Sequence, residues 1–409
     1  MLKKLTSNIL IYGVTNGVKS LVPFLMLPIL TMYLSVSDYG TLSIIEITII
    51  FLVPIVSLNI SGAINVEYFN LNRSQLGHYI TNAFILTLLS FVVTFCCLIL
   101  FKNEISSFLN TGSSLVLWLP VFALLRISSQ VLLGIYQVSQ QPKRFAQFTV
   151  LQTLVDFSLS YVLVVIFQYG YIGRIEGVYI AFSIFSLVAL IILFKMGFLT
   201  KPTLIYSRSI LKFGLPLIPH VVGGTVIAMS DRYFISYYAG SEDVGLYTVA
   251  YQVSALMILV STSVNQAWIP VLYGLLKSRG EVQKAVKYSF IMALFFVVIG
   301  GLIFSLKDGL FNLIVDQKFH HAKTFFGWLV LGGIFQSIYF LATNFLFFEK
   351  KTVSLAKITV FGAVLNIILN FYLIQIYGVI GVAYATAITW ALYCIVVIST
   401  CTFYFRKRY

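Results

Sequence analysis

The sequence predicts an all-α polytopic membrane protein, with twelve transmembrane helices in two pseudo-twofold-related six-helix lobes around a central cavity. Three observations carry that expectation. Hydrophobic residues make up 59% of the 409-residue chain and charged residues 10%, against about 25% charged in a soluble domain, and mean hydropathy is +0.96. Apolar stretches near the ~20 residues that a spanning helix needs recur along the whole length. The third observation is an internal repeat of half the chain. Tyr33, Asp38, Gly40, Ile64, Val66 and Tyr68 return as Tyr238, Asp243, Gly245, Ile269, Val271 and Tyr273, each 205 positions on.

In order, the spans are read at 8–34, 38–64, 79–101, 114–137, 145–168, 176–195, 209–237, 244–273, 285–305, 324–348, 352–376 and 381–405. A basic loop around 196–208, containing Pro202, joins the halves and sets the lobes at 1–200 and 201–409. A second echo marks the turn between the fifth and sixth helices of each lobe: Tyr169-Gly170-Tyr171-Ile172-Gly173 against Tyr377-Gly378-Val379-Ile380-Gly381, 208 apart. Six spans per lobe, an even number, insert both repeats in the same orientation, so the pseudo-twofold axis runs along the membrane normal.

The formal charge is +14. Its distribution speaks for topology rather than for nucleic acid. Of the 27 Lys and Arg, Lys102, Arg174, Lys307, Lys318 and Lys323 fall on one side, and Lys19, Arg126 and Arg232 fall inside apolar segments. All the others lie on the side that holds both termini, which the positive-inside rule makes cytoplasmic. Cys96, Cys97, Cys394 and Cys401 lie in or at the end of apolar segments, without metal-ligand spacing or a disulfide framework. No cofactor or metal is expected, and there is no Gly-rich phosphate loop, so energy does not come from ATP bound by this chain. The basic start and the polar Asn16, Lys19 and Ser20 read as a retained first span rather than a cleaved leader.

Gly and Pro concentrate in the first helix of each half: Gly13, Gly17, Pro23 and Pro28, then Gly214, Pro216, Pro219, Gly223 and Gly224. Pro removes a backbone donor and clashes with the preceding turn, so both helices are expected to bend. Interruptions at corresponding positions of two halves point to a transport site, although Gly and Pro are also simply commoner in membrane helices.

Lys19, Glu46, Arg126, Asp156, Asp231 and Arg232 are ionisable residues at membrane depth. Each costs at least about 2.5–3.5 kcal/mol near the bilayer centre, so each should face a wet cavity or a partner. Arg126 and Asp156 lie roughly 18–20 Å from the outer ends of neighbouring helices, at 1.5 Å per residue, and form a candidate ion pair. Lys19 is an anion site or a neutralised structural lysine. Asp231 and Arg232 are adjacent and are not expected to face the same way on a helix. His220 is a packing residue or a titrating one. Asn59, Ser61, Asn265 and Gln266 suit sugar hydroxyls or interhelical hydrogen bonds.

The run Leu25-Met26-Leu27-Pro28-Ile29-Leu30-Thr31-Met32-Tyr33-Leu34, followed by Ser37-Asp38-Tyr39-Gly40, resembles the opening of polysaccharide-biosynthesis flippases. Asp231-Arg232-Tyr233-Phe234-Ile235-Ser236-Tyr237-Tyr238 with Gly245-Leu246-Tyr247 is similar to the matching signature of their seventh and eighth helices. Asn366, Asn370 and the turn at Tyr377-Gly378 resemble their late Asn-rich helix. The resemblance spans the chain and is to the Wzx-type O-antigen and exopolysaccharide flippases, in the superfamily that also holds multidrug and peptidoglycan-lipid exporters. It implies alternating access and an undecaprenyl-diphosphate-linked oligosaccharide moved from the cytoplasmic to the periplasmic leaflet of a bacterial inner membrane. It further implies a monomer in membrane lipid, working beside a polysaccharide polymerase and a chain-length regulator. Lys19, Arg126 and Arg232 are the cations at membrane depth that a diphosphate needs. Glu46, Asp156 and Asp231 are candidates for ion coupling or charge pairing. A cation-coupled multidrug exporter is the alternative reading. A membrane glycosyltransferase or polymerase is a remote one, since no large loop carries a catalytic constellation.

Overall fold

The computed structural model describes residues 15, 17, 22–109, 111–277, 281–349 and 351–406. Lys19 and Gly13 lie outside them, as does the side chain of His220. All regular structure among the described residues is helical. Eleven helices are long and apolar enough to cross a membrane, and the shorter apolar helix Val22–Tyr33 (α1) falls inside the expected first span. This is a multi-pass membrane protein.

The helices follow as Val36–Ser57 (α2), Ile60–Glu67 (α3), Arg73–Leu100 (α4), Lys102–Leu109 (α5), Ser113–Val138 (α6), Pro142–Tyr161 (α7) and Gly170–Lys195 (α8). Next come Ser207–Met229 (α9), Asp231–Tyr238 (α10), Ser241–Ser254 (α11), Leu256–Lys277 (α12) and Val282–Ser305 (α13). Lys307–Ile314 (α14), Lys323–Phe348 (α15), Thr352–Tyr377 (α16) and Val379–Arg406 (α17) complete the chain. Polar residues start the helices where the apolar runs begin. Ser35 caps α2 by accepting from the Asp38 amide at 3.0 Å. Asn72 and Gln75 form a reciprocal capping box on α4, satisfying two amides that no helical carbonyl reaches.

The internal repeat reappears as repeated elements. The short amphipathic helices α5 and α14 both have eight residues, both open on lysine and start 205 positions apart. The Tyr-Gly-x-Ile-Gly echo also has a physical basis. Gly170 (φ 60°) and Gly378 (φ 69°) turn the chain in the left-handed region that favours glycine. Three residues on, a Cβ on Gly173 would come within 2.9 Å of the Leu163 carbonyl oxygen, and one on Gly381 would collide with that of Leu373. Each motif therefore reverses the chain and then lets the new helix press against the backbone of the old one.

Contacts divide the chain into two compact units, Met1–Thr225 and Val226–Tyr409. In the first, α8 packs on α6 and α7, and α2 packs on α6. The second repeats the scheme, with α17 packed on α15 and α16, and α11 on α15. Small residues set the closest approaches, as in membrane bundles generally: a Cβ on Gly177 would lie 2.7 Å from the Ser160 amide nitrogen. Lipid-facing stripes such as Leu88, Leu89, Val92 and Val93 on α4 stay exposed. Cys96, Cys97, Cys394 and Cys401 are free thiols.

Gly177→Val should lower detergent-phase stability by about 1–3 kcal/mol, because the clash is with backbone. Gly301→Val, at a site with nothing within 4 Å, should leave the unfolding temperature unchanged. Equal behaviour of the two variants would refute the close-packing account. Between the first turns of α14 and α15, the hydrogen bond from Lys323 to Asp308, 2.8 Å long, and the lysine's charge hold the Asp308 carboxyl below the usual carboxylate range. A depressed carboxyl contributes stability above its unfolded pKa, near 4, and loses it as pH falls through the folded value. The contact should thus persist from pH 8 to 5 and break only in stronger acid, as read by Lys323 amine labelling.

Candidate functional site

In the first unit, α6 carries Trp118, Phe122 and Arg126 four residues apart, hence on one face. Phe122 stacks on Tyr179 of α8, with ring centroids 3.4 Å apart and planes 12° from parallel. Trp118 stacks above Phe122 at 6.1 Å. Below them the Arg126 guanidinium lies 4.9 Å from the Phe182 ring and 5.9 Å from that of Tyr179. Its Nη2 donates to the Tyr179 hydroxyl at 3.4 Å, while its buried Nε has no hydrogen-bond partner among the described residues. Aromatic faces stabilise a cation by about 0.5–2 kcal/mol without neutralising it. Arg126 sits about 20 Å down α6, held by rings rather than by a carboxylate among the described residues.

The expected Arg126–Asp156 pair does not form. Asp156 Oδ1 instead takes Arg174 Nη1 at 2.6 Å, and Ser160 Oγ joins both, at 2.5 Å from Arg174 and 3.2 Å from Asp156. Arg174 belongs to the first turns of α8 rather than to an outer loop. The backbone approach at Gly177 and Ser160 draws α7 and α8 together, which places Asp156 within reach of Arg174. Glu46, half-buried on α2, makes no ion pair among the described residues. It lies close enough to act electrostatically on the Tyr179 phenol.

The second unit holds a denser polar knot. Asp231 and Arg232 do face one another, against the expectation for neighbours on a helix. Asp231 Oδ1 accepts from the Arg232 amide at 3.0 Å and from its Nη1 at 2.6 Å. The reason is position: Asp231 begins α10, where amides lack helical partners and an Asp side chain folds back over the first turn. Arg232 also donates to the Ala228 carbonyl and lies 4.0 Å from the Tyr251 ring. Tyr247 donates to Asp231 Oδ2 at 2.6 Å and meets the Thr386 hydroxyl at 3.2 Å. Asp231 and Arg232 are each 3% exposed. Beside them Ser230 donates to Asn366, which also accepts from Asn370 one turn away at 3.0 Å.

The neutral polar candidates divide. Asn265 accepts from Asn344 at 2.7 Å and Ser61 donates to the Gln130 carbonyl, so both bridge helices. Gln266 is exposed. Asn59 keeps a buried Nδ2 with no hydrogen-bond partner among the described residues. Sequence reasoning missed Arg174, Tyr179, Tyr247 and Thr386, because nothing in linear spacing brings α8 to α6 or α17 to α11. Only the i, i+4 spacing of Asn366 and Asn370 was a usable signal. An apolar groove of about 710 Å³ between α13, α15 and α17, with Phe290, Phe345 and Ile398 in its walls, has no charged lining.

Removing one partner of a fully buried ion pair costs about 3–5 kcal/mol. The Arg174 and Asp156 side chains remain 12% and 17% exposed, so Arg174→Met should cost less, about 1–3 kcal/mol in thermal unfolding. Adding Asp156→Leu should recover most of that loss. A double variant no better than the single one would disprove the pairing.

The chain matches the family described as polysaccharide biosynthesis protein over residues 5–275 and the MatE family over 216–372. It is 23% identical to "Lsg locus putative protein 1" of Haemophilus influenzae, over 89% of this chain and 90% of that one. It is 23% identical to "Probable low-salt glycan biosynthesis flippase Agl15" of Haloferax volcanii, over 78% of this chain and 67% of that protein. The solved structure "Lipid II flippase MurJ, inward closed conformation" superposes with a TM-score of 0.76 at 15% identity, covering 97% and 87% of the two chains. That likeness establishes a shared helical transporter fold. With two thirds of its length matched, the chain belongs to the polysaccharide biosynthesis protein family of multi-pass membrane proteins.

Proposed function

We propose that this protein is a flippase for lipid-linked glycan, moving an undecaprenyl-diphosphate-linked oligosaccharide from the cytoplasmic to the periplasmic leaflet by alternating access of its two lobes, 1–200 and 201–409. The observation that carries the reading is Arg126: a guanidinium at membrane depth, framed by Tyr179 and Phe182, with no carboxylate partner among the described residues. A cation left unneutralised in the membrane needs an anionic visitor, and a diphosphate supplies one in the fork geometry that Arg prefers. Lys19, outside the described residues, is assigned to the same headgroup. Arg232, already held by Asp231, is assigned to the framework. The glycan-flippase relative and the family match support the substrate class.

Glu46 is the candidate for proton coupling, since Asp156 and Asp231 are both engaged by arginines. The positive-inside pattern supports cytoplasmic termini, and the family membership supports a bacterial inner membrane. The assigned partners are a polysaccharide polymerase and a chain-length regulator, with the transporter itself monomeric. A carboxylate at Glu46 with no ion pair among the described residues, together with the MatE match, favours cation-coupled drug export as the second reading.

Purified protein reconstituted in vesicles with labelled undecaprenyl-diphosphate oligosaccharide tests the reading. Charge-assisted hydrogen bonds contribute about 1.5–3 kcal/mol each, so Arg126→Gln should slow flipping at least tenfold. Arg126→Lys should keep part of the activity, and Lys19→Ala should also slow it. Wild-type rates in both Arg126→Gln and Lys19→Ala, at matched protein levels, would sink the cationic mechanism. Glu46-dependent uptake of organic cations with no glycan flipping would install the exporter reading instead.

A further inference from the structure

Arg126 and Arg232 both rest against aromatic rings, yet they are held by different chemistry. The Arg126 guanidinium lies 4.9 Å from the Phe182 ring and that of Arg232 4.0 Å from Tyr251. Their hydrogen-bond acceptors set them apart. Arg232 donates to the Asp231 carboxylate at 2.6 Å and is 3% exposed. Arg126 donates to a phenol, Tyr179 Oη at 3.4 Å, and stays partly exposed. A carboxylate holds an arginine and cancels its charge. A phenol is a neutral acceptor, so it orients the guanidinium and cancels nothing.

Orientation matters here because an arginine side chain is long and rich in rotamers. Left alone at membrane depth it extends its head toward the nearest water. Tyr179, by contrast, is fixed. It is buried, and its ring lies 3.4 Å from that of Phe122 with planes 12° from parallel. Tyr179 and Phe182, three residues apart on α8, share a face and meet Arg126 together. The two helices have a separate tie as well. The hydroxyls of Ser128 on α6 and Ser186 on α8 are 2.6 Å apart, and both residues are buried. The register of α6 against α8 therefore does not depend on the Tyr179 hydroxyl.

We propose that Tyr179 is the positioning residue of the anion site: stacked on Phe122, its hydroxyl holds the Arg126 guanidinium in one orientation for the diphosphate without competing for the charge. The bond uses one of the five guanidinium N–H groups and leaves others for phosphoryl oxygens, with no carboxylate to displace first. The assignment rests on the flippase reading and deepens it, separating the group that binds the headgroup from the group that aims it.

The test uses full-length protein in detergent and measures binding of two labelled lipids with the same chain: undecaprenyl diphosphate, and undecaprenol, which has no phosphate. Tyr179→Phe removes the hydroxyl and keeps the ring on Phe122, so the unfolding temperature should match wild type. Its affinity for the diphosphate should fall about three- to tenfold, the range of one hydrogen bond, while undecaprenol binding stays unchanged. Arg126→Gln should weaken the diphosphate at least tenfold, and adding Tyr179→Phe to it should cost nothing more, because both changes act on one group. Ser128→Ala is the packing control: it should lower the unfolding temperature and leave diphosphate affinity as it was. If Tyr179→Phe does not fold, Phe122→Leu decides, since it unstacks the ring and keeps the hydroxyl; its diphosphate affinity should also fall. Wild-type diphosphate affinity in the variant that decides overturns the positioning role. So do equal losses for both lipids, additive losses in the double variant, or an equal loss in Ser128→Ala. In each of those cases a loss in Arg126→Gln leaves the flippase reading in place. Wild-type affinity in Arg126→Gln overturns both.

Discussion

Hydrocarbon offers no water to a polar group, so every charge and every broken backbone turn in this chain must find its partner inside the protein. That constraint organises both units. Asp156, Ser160 and Arg174 tie α7 to α8. Asp231, Arg232, Tyr247 and Thr386 tie α10 to α11 and α17. In each case the charge is cancelled within a few ångströms, and the helices that carry it are held at a fixed register. Because the pairs are so complete, two places without an ion pair among the described residues stand out: the Arg126 guanidinium under its aromatic rings and the Glu46 carboxylate.

The repeat shows how one scaffold came to serve two purposes. Both units use the same turn chemistry, with a left-handed glycine and a second glycine pressed on the preceding helix, and both carry a short lysine-led helix at the same place. The chemistry placed on the scaffold differs. At the repeat distance, Glu46 corresponds to Tyr251, and Leu27 to Arg232. The second unit thus puts a ring beneath an arginine already neutralised by its neighbour, where the first has a carboxylate with no ion pair among the described residues. In the second unit the arginine and its carboxylate close on each other; in the first, Arg126 rests against aromatic rings instead.

Some of this was legible in the residues. Spans follow from apolar length, since a helix is the one open-ended structure that satisfies its own backbone in lipid. The turn at Tyr377-Gly378 announced itself because only glycine adopts its backbone without strain. The set of intramembrane charges was equally visible, because such residues are rare. Pairing was not. Asp156 was as near in depth to Arg126 as to any cation, and the choice of Arg174 depended on Gly177 admitting the backbone of Ser160. Asp231 and Arg232 look divergent on a continuous helix and converge only because a helix begins between Ser230 and Asp231.

By itself, then, the sequence determined the environment, the number and rhythm of the spans, the internal repeat and the small list of charges that had to be accommodated. These are properties of composition and period, readable one segment at a time. The tertiary structure alone decided which charges cancel and which remain available, and where a helix breaks. Those outcomes depend on contacts between segments tens of residues apart, and on whether a glycine at the crossing leaves room for a neighbouring backbone. No local pattern encodes that distance.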